Sequence, residues 1–557
     1  MKKTRTILAT LLIAVCGMTN AQPASVKNVA KSVFTLTTFR ADGSLLASSH
    51  GVFVGQDGEA ISDLKSFIGA ASAVVIDHKG NKMNVARMMG INDIYNVAKF
   101  RVDGKPTPAP IAAAAGARGD KSWLVGYGLK NPAIEETSIK KVESFMNQYA
   151  YYIFGMNAPD NAISCPFVNA SGEILGLMQI STTTFDTHAT DARYINSLQL
   201  TALSYSDANL RQIGIPMSMP TNQEQAQLAL VMAGQSGDSL KYVAAIDDFL
   251  KMFPTVIDGY DAKARQELNR NLFDQAANTM EEGIKKVAKK DEAHYNYSKV
   301  IYDKEIYRSQ VPYDKWSLDK AMEEAQKAYE VSPLPVYKHL QAQITFSKGD
   351  YQQAYNDFLS LYQDKTFSNP ELLYEAAHCK QLLNAPAKEV IALLDSAINT
   401  TDSLQISNTA PYYFARAASY EQLDSFRQAA FDYTRYEYLM RGNVSANFYY
   451  LREQVEVKGK LYQQALADIT RAILLDPKNA TYYAEMASLQ LRVNMIEQAE
   501  KTAEQCIKTA PDYSDGYLLL GLAQVKLGKK ETGIYNLQKA KELGNWQAET
   551  FIEKYSK

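Results

Sequence analysis

A repeat near the C-terminus constrains the fold of this chain more than any other feature. In it, a set of small residues and one proline recurs after 34 residues. The recurring positions are Ala465, Ala472 and Pro477, followed by Ala499, Cys506 and Pro511. Tyr449, Tyr483 and Tyr517 follow the same spacing. A fixed period of this length is typical of structural units that bury their apolar faces against their neighbours.

From about residue 224 to 557, apolar residues recur at the spacing of an α-helix. Small residues let the two helices of a unit cross closely, and proline stops the second helix. Weaker copies of the pattern occur upstream, at Ala321, Ala325, Ala328 and Pro333, and at Gly349, Ala354 and Phe358. The pattern resembles the tetratricopeptide repeat. The resemblance implies an all-α solenoid of eight or nine units with a concave groove, and an insertion near 400–410.

The first half of the chain has a different period. From about residue 30 to 215, short runs rich in Val, Ile, Phe and Tyr are separated by Gly, Asp and Asn, which predicts an all-β barrel or sandwich. The segment Ile215–Gln223 carries two prolines and little periodicity. We therefore predict a β domain over 22–215, a linker over 216–223 and a helical array over 224–557.

The N-terminus has the pattern of a signal peptide over 1–21. Lys2, Lys3 and Arg5 precede a short apolar run, and Ala21 ends a small-residue cleavage pattern. Cys16 raises the alternative of a lipoprotein, but the residue before it is Val15 instead of a small residue. We expect an exported protein, periplasmic or extracellular, and no later segment is long and apolar enough to predict a membrane span.

Composition and motifs limit the classes of partner and cofactor that this chain is expected to bind. The formal net charge of −2 offers no basic stripe of the kind that binds nucleic acid. Cys165, Cys379 and Cys506 remain after the predicted cleavage, and we expect buried thiols rather than a disulfide framework. No metal-ligand or nucleotide-binding motif is present, so no metal or other cofactor is predicted.

Four segments of the β half, taken in order, resemble trypsin-like serine proteases of the HtrA type. They are 50–70, 71–103, 119–131 and 163–179. The resemblance implies a double β-barrel and places Lys65, Asn96 and Ile163 at the positions of the catalytic histidine, aspartate and serine. These residues provide no nucleophile, no neutral imidazole and no orienting carboxylate. The resemblance therefore implies a pseudoprotease rather than an enzyme.

Two alternatives would restore a hydrolase. Ser164, one residue beyond the nucleophile position, could pair with Lys65 as a Ser-Lys dyad. Cys165 could act as a nucleophile with His50 or His188, although a buried structural cysteine is the simpler explanation and the one we favour.

We therefore predict a non-catalytic binding or scaffold protein whose ligand is a protein or peptide held in the repeat groove. By repeat phase, the groove candidates are His339, Gln343, Phe346, Phe414, Asn447, Tyr450 and Gln454. The alternative is that the aromatic residues among them pack between units. The Lys/Asn pattern with which some such repeats hold a C-terminal carboxylate is not found at the equivalent positions, such as Tyr450 and Gln454.

Overall fold

The computed structural model of this chain describes residues 22–146, 148–179 and 186–556. The predicted signal peptide, 1–21, lies outside these residues and stays a prediction. The chain divides into two compact units, with the boundary between Ala293 and His294. Within the described ranges, no helix has both the length and the apolar character needed to cross a membrane.

The first unit contains two closed antiparallel barrels of six strands each. The strands of the first barrel are β1 (Val33–Phe39), β2 (Leu45–Phe53), β3 (Glu59–Ser62), β4 (Ser72–Ile76), β5 (Lys82–Asn92) and β6 (Val97–Val102). Those of the second are β7 (Lys121–Val125), β8 (Ile134–Phe145), β9 (Tyr149–Phe154), β10 (Pro166–Val168), β11 (Ile174–Gln179) and β12 (Thr187–Asp191). The orders β1-β2-β3-β6-β5-β4 and β10-β11-β12-β9-β8-β7 confirm the predicted trypsin-like double barrel.

Aromatic side chains fill both barrels. In the first, the rings of Phe34 and Phe53 lie 4.5 Å apart. In the second, Phe154 and Phe167 stack at 3.7 Å. Gly51 on β2 is required for this packing, because a Cβ there would lie 2.4 Å from the Phe34 ring.

Helices also belong to the first unit. They are α1 (Ala24–Val29), α2 (Ala208–Gln212), α3 (Gln223–Gln235), α4 (Ser239–Met252), α5 (Ile257–Asn269) and α6 (Phe273–Lys286). Leu230 on α3 and Phe249 on α4 are buried in the same core as barrel residues. Arg87 on β5 pairs with Asp248 on α4 at 2.8 Å. The first helices of the array are thus packed onto the first barrel.

The segment predicted as a linker, 216–223, contains buried residues. Met217 and Met219 lie in the core that α3 and α4 share with the first barrel. The predicted boundary between the β domain and the array stays a prediction, and the compact units divide further along the chain. For this reason the experiments below use the full chain.

Helices make up the second unit, and α7 (Lys290–Tyr307) spans the boundary between the units. The helices that follow are α8 (Leu318–Val331), α9 (Pro335–Ser347), α10 (Tyr351–Gln363), α11 (Pro370–Leu382), α12 (Ala387–Thr400), α13 (Ala410–Gln422), α14 (Phe426–Leu439), α15 (Ala446–Lys458), α16 (Tyr462–Leu475), α17 (Ala480–Arg492), α18 (Ile496–Thr509), α19 (Ser514–Lys526), α20 (Lys530–Glu542) and α21 (Ala548–Ser556). Consecutive helices pack against each other, as an α solenoid requires. A 3-10 helix over Ser403–Thr409 forms the predicted insertion.

The 34-residue period has a visible physical basis. Ala465 and Ala499 are completely buried, as the close crossing of paired helices requires. The hydroxyl of Tyr483 donates to the carbonyl of Pro477 at 3.1 Å, and that of Tyr517 donates to Pro511 at the same distance. Cys165, Cys379 and Cys506 are buried free thiols, as predicted.

Candidate functional site

Lys65 and Asn96, which the protease resemblance places at the histidine and aspartate positions, are neighbours. The backbone N–H of Lys65 donates to Oδ1 of Asn96 at 2.9 Å, and the backbone N–H of Leu64 donates to the Asn96 carbonyl at 3.3 Å. Asn96 has φ +50°, a conformation that asparagine adopts more readily than most residues. The Asn96 side chain thus holds the backbone at Lys65, while the Lys65 side chain is exposed.

Ser164 is turned into the protein. It is buried, has φ +64°, and its hydroxyl donates to Oδ1 of Asp63 at 3.4 Å. Asp63 also accepts from the backbone N–H and the hydroxyl of Ser66, at 2.9 and 2.8 Å. In the described part of the chain, no hydrogen bond joins the Lys65 amine to Ser164, the pair that a Ser-Lys dyad would need. Ile163, at the nucleophile position itself, is half-buried.

Cys165 lines a cavity of about 100 Å³ together with His50, Tyr127 and Asn161. Burial raises the pKa of the Cys165 thiol to about 12, so the nucleophilic thiolate is scarce at neutral pH. His50 stacks on Tyr127 with ring centres 5.8 Å apart. His188 instead contacts the ring of Tyr151 on β9. The structure therefore places His50, and not His188, in the cavity of the cysteine.

In the array, three predicted groove residues come together on α9. His339, Gln343 and Phe346 follow spacings of four and three residues, which places them on one helix face. The Gln343 amide donates to Oε1 of Glu375 at 2.8 Å, and Nε2 of His339 lies 2.6 Å from Oε2 of the same carboxylate. The Phe346 ring contacts the ring of His378 at 5.4 Å.

These contacts border a pocket of about 260 Å³ within the second unit. Its lining residues are Tyr302, Gln343, Phe346, Phe358, Tyr374, Glu375 and His378. Five lining residues, from α7, α10 and α11, were not among the predicted groove residues: Tyr302, Phe358, Tyr374, Glu375 and His378. Tyr374, Glu375 and His378 do follow helical spacing on α11, but nothing in the sequence indicated which residues of α9 they face.

The other candidates lie elsewhere. Phe414 packs between Tyr433 and Tyr436 of α14, at 5.2 and 5.1 Å, so its ring contributes to helix packing. Asn447 and Gln454 on α15 are exposed. Tyr450, between them, contacts the Tyr482 ring at 5.3 Å and is hydrogen-bonded to Gln454.

Buried charged residues of α15 form a cluster with residues of α14 and α16. Arg452 is 2% exposed and pairs with Asp468 of α16 and with Oε2 of Glu437 at 2.7 Å. Glu453 and Glu456 are 2% and 3% exposed. Burial, with repulsion from neighbouring carboxylates, raises the pKa of each to about 8. Arg416 makes the same pair with Asp432 one unit earlier.

Two curated proteins with tetratricopeptide repeats are similar to part of this chain. A stretch of 84 residues, 15% of this chain, is 36% identical to the small glutamine-rich tetratricopeptide repeat-containing protein 2 of Saccharomyces cerevisiae. A stretch of 82 residues is 30% identical to the TPR repeat-containing thioredoxin TDX of Arabidopsis thaliana. These matches span 24% and 22% of the relatives' own lengths. No family model matches the chain.

The chain joins two closed six-stranded β-barrels to a helical array, and part of it is similar to tetratricopeptide-repeat proteins. Among solved structures, the active form of the Rv3671c protease from M. tuberculosis is similar to it at 13% identity and a TM-score of 0.29, over 36% of this chain and 92% of that one. The inactive form gives 14% identity and a TM-score of 0.27, over 32% of this chain and 91% of that one.

Proposed function

We propose that this chain is an exported, non-catalytic protein that binds a protein or peptide through its tetratricopeptide array. The observation that carries the proposal is the array pocket, where aromatic and polar side chains of α7, α9, α10 and α11 converge. Tetratricopeptide-containing relatives favour protein binding as the role of the array.

The region of Lys65, Asn96, Ile163 and Ser164, here called the protease-like cleft, supports a non-catalytic role. A serine protease needs a hydroxyl, a neutral imidazole and a carboxylate in contact. Here Ile163 offers no nucleophile, Lys65 is exposed and offers no neutral imidazole, and the Asn96 side chain binds the backbone. The nearest hydroxyl, that of Ser164, is buried against Asp63.

The alternative function is a cysteine- or serine-type hydrolase, and the cavity shared by His50 and Cys165 is the observation in its favour. Against it, the Cys165 side chain is fully buried, which disfavours the thiolate. A thiol of this kind reacts slowly with alkylating reagents.

We expect the folded chain to resist both classes of active-site reagent. A fluorophosphonate probe should leave Ser164 unlabelled, and iodoacetamide should alkylate Cys165 only after unfolding. Intact-mass analysis and peptide mapping measure both results, with Ser164→Ala and Cys165→Ala as matched controls. Labelling of either residue in the folded chain, lost in its alanine variant, would establish the hydrolase instead.

Export is part of the proposal and rests on the residues of the N-terminal segment. Fractionation of cells expressing the full chain should recover a product that begins at Gln22 outside the cytoplasm. A product that retains residues 1–21 in the cytoplasm would contradict export without affecting the proposed binding role.

A further inference from the structure

The array pocket has the size of a site for one side chain. Its volume of about 260 Å³ is slightly below the range of about 300–1,000 Å³ typical of pockets for drug-sized ligands. Four of its walls are aromatic, formed by Tyr302, Phe346, Phe358 and Tyr374. Aromatic faces attract cations because the ring quadrupole is negative above and below the plane.

The pocket also contains an oriented carboxylate. His339 and Gln343 each contact one oxygen of Glu375, at 2.6 and 2.8 Å, and the Glu375 side chain is 16% exposed. A carboxylate has about four acceptor positions, so two contacts leave it able to accept further N–H groups. Glu375 is therefore held in place while it still faces the pocket.

Several carboxylates lie near the pocket. Burial raises the pKa values of Tyr302, Tyr374 and Tyr412, and the neighbouring carboxylates Glu371, Glu375 and Asp303 raise them further. Burial lowers the pKa of His378, so its imidazole is neutral at neutral pH. The pocket thus combines aromatic walls with the carboxylate of Glu375, an arrangement that is complementary to a cation.

We propose that this pocket binds the side chain of an arginine in the partner peptide. The inference rests on the proposed function, that the array binds a protein or peptide, and it names the chemistry of one anchor residue. A guanidinium can stack on the aromatic walls while its planar N–H groups donate to Glu375. Arginine therefore uses both features of the pocket at once.

The test compares two labelled peptides that differ only in the charge of one side chain. Each is a short glycine- and serine-based peptide with one central residue, arginine in the first and uncharged citrulline in the second. Fluorescence anisotropy with the full chain should give about tenfold tighter binding of the arginine peptide, as expected for a charge-assisted contact beside aromatic rings. This comparison needs no variant of the protein.

Glu375→Gln keeps the shape of the side chain and removes its charge. It should reduce arginine-peptide binding about tenfold and bring it close to that of the citrulline peptide. Glu553→Gln, an exposed carboxylate on α21, changes the net charge equally and should have no effect. Circular dichroism and thermal melting verify that both variants fold.

Equal binding of the two peptides, or a preference for arginine that survives in Glu375→Gln, would overturn this proposal. So would the absence of binding of either peptide at millimolar concentration. None of these results bears on whether the array binds a protein, which partner capture by the full chain tests separately.

Discussion

Replacement of Arg452 by alanine is expected to destabilise the helical array by about 3–5 kcal/mol. Two nitrogens of the Arg452 guanidinium bind the carboxylate of Asp468, and one of them also contacts Glu437 at 2.7 Å. Arg452 and Asp468 are both 2% exposed. Without the arginine, the buried carboxylate of Asp468 loses its main counter-ion close to two further buried acids, Glu453 and Glu456.

Arg471 provides a matched control, because it contacts the same Asp468 at 3.0 Å but its side chain is 50% exposed. Arg471→Ala should lower the free energy of unfolding by less than about 1 kcal/mol. Chemical denaturation of the full chain, followed by far-ultraviolet circular dichroism, compares the two variants. Similar small losses for both would show that Arg452 is not the central charge of the cluster.

The second large effect concerns pH. Replacement of Glu453 and Glu456 together by glutamine should stabilise the array at alkaline pH and leave it nearly unchanged near pH 4. Both side chains are buried, and Oε2 of each is without a hydrogen-bond partner among the described residues. Glutamine resembles the protonated acid in shape and carries no charge that burial would disfavour.

The sign follows from the raised pKa values. Both groups have a folded-state pKa of about 8 against an ordinary value of 4.5, so the folded chain binds more protons than the unfolded chain between these limits. The stability that protonation provides is complete below pH 4.5 and is lost as pH rises through 8. Since each unit of pKa shift corresponds to about 1.4 kcal/mol, even a one-unit shift on both groups gives a difference of roughly 3 kcal/mol at high pH.

Thermal melts from pH 4 to 9 measure this difference. Glu497→Gln with Glu504→Gln on α18, both exposed, is the matched double variant and should follow the wild type at every pH. If the melting temperatures of the wild type and of the Glu453/Glu456 double variant changed in parallel from pH 4 to 9, the raised pKa values would be contradicted.

Periodic features of this fold could be predicted from the sequence, because each repeat imposes the same packing. Ala465 and Ala499 recur since both must be buried where paired helices cross. The protease resemblance predicts that Lys65 and Asn96 occupy two of the triad positions, which stays a prediction, and the structure shows that the two residues are in contact. Both cases depend on constraints that act at fixed positions in the chain.

Contacts between helices could not be predicted in the same way. Glu375 faces His339 across 36 residues, and nothing in its own helix indicates that partner. Phe414 has the phase of a groove residue, but Tyr433 and Tyr436 enclose its ring. The sequence did contain a signal for one kind of contact, the buried ion pair between arginine and aspartate. Arg416 with Asp432 and Arg452 with Asp468 share a spacing of 16 residues in consecutive units.

Capture of a partner from the cell envelope by the full chain and two of its variants tests the central claim most directly. Tyr450→Ala with Gln454→Ala alters the surface of α15, and Lys65→Ala alters the exposed side chain of the protease-like cleft. Quantitative mass spectrometry of cross-linked material should identify a protein whose recovery falls at least about tenfold with the α15 variant, as expected when an aromatic contact is removed from an interface. The Lys65→Ala variant should retain that partner. Loss of the partner with Lys65→Ala, and its retention by the α15 variant, would contradict binding through the array and assign it to the barrels.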